Sequence, residues 1–266
     1  MSEGERAAGT AVITGASAGI GAEFARQLAE RGYDLLLIAR REERLTELCR
    51  QLSGQFKINC EVFPADLSQE ADIDLVAVRI GEIADISMLI NNAGFGARGF
   101  FAEANFNRQI DMLNVHIMAT VKLTRAALEK MMVNGRGDII NVSSAAGFLT
   151  GPGSVNYCAT KAYLISFSQS LRGEVKDRGI RVQVLCPGYT LTEFHEVGEL
   201  KGFDRSRIPK FMWQPAGYVV RESLKGLDRN RPICIPGAGY RVLLGLVRMP
   251  FVGAILKALA RRIRRQ

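Results

Sequence analysis

Tyr157 and Lys161 stand four residues apart in Tyr157-Cys158-Ala159-Thr160-Lys161, inside a stretch of helical pattern, so their side chains share one helix face. A free phenol titrates near pH 10 and is a poor base at neutral pH. An ammonium beside it favours the phenolate, which predicts a lowered pKa and a tyrosine able to exchange protons with a substrate. Taken alone, such a pair is more often an exposed helical couple. Upstream, Ser143 and Ser144 close an apolar run in Asn141-Val-Ser-Ser-Ala-Ala-Gly, and they compete for the role of hydrogen-bonding a reacting oxygen. Neither lies in a Gly-x-Ser-x-Gly elbow, which argues against a serine hydrolase.

A second group of residues lies near the N-terminus. Ala11-Val-Ile-Thr14 reads as a buried strand that runs into Thr14-Gly15-Ala16-Ser17-Ala18-Gly19-Ile20-Gly21 and then a helix. Glycines 15, 19 and 21 permit a tight turn and a close approach of backbone to a pyrophosphate, and the helix N-terminus favours that anion. The competing reading is a strand–helix turn that binds nothing. After the second strand a dinucleotide site usually carries an acid for the ribose 2′-OH. Here the strand ends Ile38-Ala39-Arg40-Arg41, and guanidinium groups match a 2′-phosphate. This predicts NADP(H) rather than NAD, with Arg40 in contact, against the alternative of two solvated arginines whose charge Glu42 and Glu43 offset.

These motifs, together with Asp66-Leu67, Asn91-Asn92-Ala93-Gly94, the Ser144 to Tyr157 spacing and Pro187-Gly188, occur in the order and spacing of the short-chain dehydrogenase/reductase family. Residues 10–235 resemble that family in its single-domain form. The Asn-Asn-Ala-Gly-Phe-Gly run and the Gly237-x-Gly239 ending look most similar to bacterial 3-oxoacyl and hydroxysteroid reductases. The resemblance selects Ser144 over Ser143, since it lies thirteen residues before the tyrosine; Ser143 is then a strand-end hydroxyl bonded to backbone. It implies that nicotinamide C4 passes hydride to a carbonyl while Tyr157 protonates the oxygen, Ser144 stabilises developing charge, and Lys161 holds the nicotinamide ribose. It implies that Asn114 kinks its helix and holds a water that relays protons to the lysine, against the alternative of a buried, satisfied asparagine. Asp66 and Leu67 would flank the adenine, unless Asp66 is a helix cap. Asn91, Ala93 and Gly94 would line the adenosine side, and Pro187, Gly188 and Thr192 the carboxamide. With Gly15, Ser17, Gly19, Ile20 and Gly21 these complete the expected cofactor contacts.

The elements that must position these residues alternate along the chain. Strands are predicted at 11–14, 34–39, 59–63, 86–90, 138–142, 182–185 and 232–235, and helices at 20–31, 42–52, 70–83, 106–133 and 155–178. Strands free of polar interruption and separated by helices predict an α/β fold: one doubly wound, Rossmann-type parallel sheet of about seven strands, with helices on both faces. The catalytic domain is expected over 1–240, with 188–214 as a lid-like segment. Residues 241–266 are expected to be a basic tail.

Composition narrows the class further. The chain has 266 residues, 47% hydrophobic and 23% charged, which excludes a disordered or repeat chain. Its net charge of +8 resides in the tail, whose seven cations face no acid, while the rest carries 28 basic and 27 acidic residues. With no basic stripe in the body, nucleic-acid binding is not expected. Five cysteines without C-x-x-C spacing and two distant histidines predict neither a disulfide scaffold nor a metal site. No leader pattern or spanning segment is read, so a cytoplasmic protein is expected. On a helical wheel, 252–265 gathers Val252, Ile255, Leu256, Leu259 and Ile263 on one side. That leaves open either peripheral contact with the inner membrane face or a helix packed on the body.

The substrate pocket is expected from Phe95, the 145–149 turn with Leu149, and Phe194 in the lid. Phe148, Phe211, Met212 and Trp213 lie in the same segments and read either as pocket wall or as lid packing. All point to an apolar carbonyl compound, such as a 3-oxoacyl or lipid-like ketone. Two rival readings are a dehydrogenase of steroid-like or small alcohols and a silent NADP-sensing, membrane-recruited module; the intact Ser144, Tyr157 and Lys161 count against the second. A homodimer or homotetramer through the long helices is expected from the resemblance.

Overall fold

Strand β1 (Thr10–Thr14) is apolar from Ala11 to Ile13 and fully buried there, which only a sheet covered on both faces can accommodate. The computed structural model describes residues 9–97, 99–195 and 204–248. Around β1 lie β2 (Asp34–Ala39), β3 (Cys60–Pro64), β4 (Ile86–Asn91), β5 (Gly137–Val142) and β6 (Ile180–Leu185). A short parallel pair, β7 (Thr190–Leu191) and β8 (Gln214–Pro215), stands apart, and β9 (Ile233–Cys234) completes the main sheet. All seven strands of that sheet are parallel, in the order β3-β2-β1-β4-β5-β6-β9.

One face packs on α1 (Gly19–Glu30), α2 (Glu42–Phe56) and α7 (Ala216–Asp228), around Phe24, Leu28, Leu45 and Leu224. The other packs on α3 (Glu70–Glu82), α5 (Ala119–Asn134) and α6 (Val155–Val175), around Ile73, Leu123, Met131 and Leu171. This is the doubly wound α/β sheet the alternation predicts. The chain reverses direction across the sheet between β1 and β4, and the loops leaving their carboxyl ends open the crevice where such folds bind ligands.

Three elements differ from the sequence reading. The helix expected over 106–133 is broken into α4 (Phe106–Leu113), a π-helical turn at Asn114–Met118, and α5. Side chains pull the turn open: Asn114 Nδ2 donates to Ser68 O at 2.9 Å, and Thr120 Oγ1 donates back to His116 O at 2.9 Å. No helix was read between the 188–214 segment and the last strand, where the structure has α7. Helix α8 (Ala238–Arg248) begins before residue 241, with Tyr240 and Leu244 buried, so the first part of the tail continues an element seated on the body. The amphipathic wheel at 252–265 lies outside the described residues, as do 196–203 of the lid segment. No helix among the described residues is long and apolar enough to cross a membrane.

Candidate active site

The crevice at β1 and β4 is built by Thr14. Its hydroxyl donates to Ile90 O at 3.3 Å and accepts from the backbone N–H groups of Asn92 and Ala93, at 2.9 and 3.0 Å. Asn92 Nδ2 returns bonds to Thr14 O and Gly15 O at 2.9 and 3.3 Å, so the glycine turn and the loop after β4 form one unit. Gly15 has a φ of +66°, and a Cβ there would stand 2.8 Å from Asn92 Nδ2. A Cβ on Gly21 would stand 2.3 Å from Gly15 O. Helix α1 starts at Gly19, its N-cap Ala18 offers no side-chain cap, and its first turn holds no acid. Among the described residues those N–H groups have no side-chain cap and no acid in their own turn, so the turn suits the phosphates of a dinucleotide. Ile20 packs against the core beneath it.

Of the two arginines after β2, Arg41 is the one turned to this site. Its Nε and Nη2 donate to Ser17 Oγ at 3.2 and 3.0 Å, whereas Arg40 reaches Asp66 at 3.8 Å. Asp66 folds back on Ser68, accepting from its N–H at 3.1 Å and its hydroxyl at 2.9 Å, and the N-cap of α3 is Gln69. Leu67 is core. Glu193, from the lid segment, pairs with Arg41 and, at 2.8 Å, with Arg44. The Arg41 hydrogen bond holds the Glu193 carboxyl below its ordinary range.

Strand β5 and helix α6 bring the proton-transfer residues together. Ser143 is buried, and its hydroxyl donates to Lys161 O at 2.6 Å, a backbone anchor. Ser144 Oγ accepts from Ala146 N at 3.1 Å and hydrogen-bonds the Tyr157 hydroxyl. Lys161 is 4% exposed; its Nζ donates to Val142 O at 3.0 Å and lies 5.9 Å from the Tyr157 ring centre. Burial lowers the Lys161 ammonium to about 8. Burial raises the Tyr157 phenol to about 12, and the Ser144 hydrogen bond opposes that rise. The lowering expected from the lysine is not what this pocket produces: burial of the phenol raises its pKa, and the Lys161 Nζ is directed to the Val142 carbonyl.

His116 was read only as too isolated for a metal site; it is a buried part of this one. Its Nε2 accepts from Phe95 N at 3.2 Å, and its Nδ1 lies 2.9 Å from Thr160 Oγ1, which donates to Tyr157 O at 3.0 Å. Burial, then the Lys161 charge, hold its pKa well below the ordinary value, so the ring is neutral. A Cβ on Gly94 would stand 2.9 Å from His116 Nε2 and 3.5 Å from Lys161 Nζ, so backbone lies close to both. Phe95 tilts against the imidazole, with the Arg108 guanidinium 4.4 Å from its ring centre. Asn91 sits deeper, donating to Thr124 Oγ1 at 3.0 Å and Asn141 Oδ1 at 2.8 Å, and so ties β4 to α5 and β5.

The segment after β6 passes over the site. Pro187 O accepts from Ala145 N at 2.8 Å. Gly188 lies under Tyr240 of α8, where a Cβ would come within 1.9 Å of the ring, and Tyr240 Oη accepts from Tyr189 N at 2.9 Å and donates to Met212 O at 2.8 Å. Thr192 stands against Gly19, a Cβ on which would lie 3.0 Å from its methyl group. Phe194 packs on Tyr157 with ring centres 6.3 Å apart. Leu149, at the end of the turn that Ser144 begins, is exposed, while Phe148 turns inward against Ile165 and Val184. Trp213 packs on Tyr189, and Phe211 is 86% exposed. The structure thus gathers Ser144, Tyr157, Lys161, Gly94, Phe95 and Phe194; Arg40 reaches toward Asp66, and the side chains of Leu67 and Phe148 pack into the core. Glu193, His116 and Tyr240 carry no local sequence signal, because their side-chain partners are 28 or more residues away except for Phe95, at 21.

The family model described as short chain dehydrogenase matches residues 9–199. The chain is 34% identical over 233 residues to a very-long-chain 3-oxoacyl-CoA reductase of Anas platyrhynchos, covering 86% of this chain and 72% of that one. It superposes on a short-chain dehydrogenase from Sphingobium yanoikuyae, solved in complex with NADPH, with a TM-score of 0.82 and 32% identity over 95% and 94% of the two chains. A bulky-bulky ketone specific alcohol dehydrogenase from Comamonas testosteroni is similar at a TM-score of 0.77 and 30% identity, over 97% and 94% of the chains.

Proposed function

Since this chain belongs to the short-chain dehydrogenase family, oxidoreductases of hydroxyl and carbonyl groups that use nicotinamide cofactors, we propose that it is an NADP(H)-dependent ketoreductase of apolar ketones, foremost 3-oxoacyl thioesters. The observation that carries this reading is the pocket in which Ser144 hydrogen-bonds the Tyr157 hydroxyl and the buried Lys161 lies on the same helix face. A protonated phenol beside a hydroxyl donor is set to give a proton, which is the need of carbonyl reduction.

The residues present fit a dinucleotide. The uncapped first turn of α1 and Ser17 would take its phosphates, Arg41 a 2′-phosphate, Gly94 and Thr192 the nicotinamide end, and Lys161 the ribose. When bound, the nicotinamide supplies the hydride that goes to the carbonyl carbon. Tyr157 gives its proton to the carbonyl oxygen as charge develops there. Ser144, its lone pair held by Ala146 N–H, donates a hydrogen bond to the same oxygen. Lys161 then stabilises the tyrosinate left behind, and solvent protons return to it by the side of Asn114. Arg41 at the glycine turn and the lack of an acid at the end of β2 support NADP(H). The apolar ring of Phe194 beside Tyr157, and that of Phe95 beside His116, support an apolar substrate. The Comamonas relative favours a second reading, a bulky ketone flanked by two large groups. Exposed apolar groups on α4 to α6, among them Phe106, Met118 and Tyr163, which stacks on the half-buried Phe167, support assembly through those helices.

The test is oxidation of NADPH and of NADH with 3-oxoacyl thioesters of increasing chain length, short diketones, a ketosteroid and a diaryl ketone. Rates that climb with acyl length and a preference for NADPH are expected. Turnover of the bulky or cyclic ketones alone would move the substrate to the second reading, and a preference for NADH would overturn the cofactor assignment.

A further inference from the structure

Three consecutive residues of the lid segment reach three separate parts of the site. Thr192 lies against Gly19, Glu193 pairs with Arg41 and Arg44, and Phe194 packs on Tyr157. The guanidinium held by Glu193 is the same one that bridges to Ser17 in the glycine turn. A carboxylate and a phosphate monoester offer an arginine fork the same planar pair of acceptor oxygens. Two anions at one guanidinium repel each other, so a 2′-phosphate and the Glu193 carboxylate contest Arg41.

We propose that Glu193 is a specificity-determining residue that competes with the 2′-phosphate of NADP(H) for Arg41 and Arg44, so that binding of a 2′-phosphate releases the 192–194 turn from the adenosine end of the site. The proposal rests on the NADP(H) reading above. The 2′-phosphate displaces Glu193 because it carries the greater charge, whereas a 2′-hydroxyl leaves the ion pairs in place. Phe194 follows in the chain, so the release is felt at Tyr157. NAD(H) thereby meets a closed pair of arginines and NADP(H) an exchangeable one.

The chain contains its own reporter. Trp213 is its single tryptophan; Arg205 lies 5.4 Å from the Trp213 ring centre and donates to Thr192 O at 2.8 Å. Release of the turn therefore changes the surroundings of the indole.

The experiment titrates full-length protein with 2′,5′-ADP and with 5′-AMP, by calorimetry and by Trp213 emission excited at the red edge of the indole band. In the wild type, 2′,5′-ADP binds more tightly than 5′-AMP and alone shifts the emission. Glu193→Gln, which keeps the side chain's shape, is expected to tighten 2′,5′-ADP about three- to tenfold, the range for losing one or two partly exposed ion pairs. It leaves 5′-AMP unchanged, and its emission starts near the shifted value. A thermal melt verifies that the variant is folded, and Glu193→Ala serves as a second variant with the same expectation. If the wild type binds the two nucleotides equally, the NADP(H) reading itself fails. If the wild type prefers 2′,5′-ADP but both variants bind it as the wild type does, the competition is overturned. Weaker 2′,5′-ADP binding in the variants also overturns it, since Glu193 would then orient the arginines rather than contest them.

Discussion

His116 Nδ1 and Thr160 Oγ1 lie 2.9 Å apart, and this contact joins the π-turn at Asn114–Met118 to the helix that carries Tyr157 and Lys161, while the other ring nitrogen takes the loop after β4 through Phe95 N–H. The direction of each bond follows from its partners. Phe95 N–H donates to Nε2, so that nitrogen carries no proton and Nδ1 does. Nδ1–H then donates to the Thr160 hydroxyl, which donates to Tyr157 O. The imidazole is neutral and fully used.

Replacing His116 with Ala leaves the half-buried Phe95 N–H without its acceptor and the Thr160 oxygen without the donor it accepts from, and opens a hole between Phe95 and Tyr157. The expected loss is about 2–4 kcal/mol in chemical denaturation, from two unsatisfied polar groups and lost packing. In the folded fraction, kcat is expected to fall more than KM for the cofactor, because the displaced element is the one bearing the acid. His116→Asn, which keeps an acceptor, should recover part of the stability. A variant as stable and active as the wild type would show that the link positions nothing.

Tyr157→Phe removes the proton but little volume. Turnover is expected to drop by about 10²–10⁴, the usual worth of a positioned general acid. The dissociation constant for NADPH, read by fluorescence, should stay within about twofold. Ser144→Ala leaves the acid in place and is expected to cost less, mainly in kcat. Unchanged turnover in Tyr157→Phe would sink the mechanism.

The buried lysine sets a pH dependence of stability. Its folded-state pKa is about 8 against an ordinary 10.5, so between those values the unfolded chain holds a proton that the folded chain has released. Stability contributed by this site therefore rises as pH climbs through that window. At 1.36 kcal/mol per unit the full effect is on the order of 3 kcal/mol. Compared with Lys161→Met, the wild type should gain in thermal stability from pH 7.5 to pH 10. Tyr157 works in the opposite sense at higher pH: its folded value of about 12 exceeds the ordinary 10, so its contribution is lost as pH rises through that interval. Parallel melting curves for the two proteins at every pH would show that Lys161 is not buried as described.

Gly188→Ala brings a Cβ within 1.9 Å of the Tyr240 ring, and neither the loop nor the helix can give that much without moving. A fall in thermal stability is expected, with a raised KM for cofactor because the Pro187–Thr192 strap shifts. Adding Tyr240→Ala should restore part of both. Tyr240→Phe alone loses the hydroxyl shared by Tyr189 N and Met212 O and is expected to cost about 1–3 kcal/mol. Failure of the double variant to recover would show that the ring is not the obstacle.

What is local in the chain was readable from the sequence alone. Uninterrupted Val, Ile and Leu runs between amphipathic stretches determined a covered parallel sheet, since only burial on both faces tolerates them. The glycine turn and the Tyr157–Lys161 spacing likewise announce themselves, because turn conformation and helix periodicity operate over a few residues. What depends on long-range packing did not show. Arg41 rather than Arg40 faces Ser17 because the start of α2 turns it there, and Glu193 meets Arg41 only because the segment after β6 returns to the far side of β1. The π-turn at Asn114–Met118 exists because Ser68, Phe95 and Thr160, from three separate elements, take hold of its side chains. The sign of the Tyr157 shift was also decided there: spacing put a lysine on the same helix face, but the fold buried the phenol, and its desolvation raises the pKa.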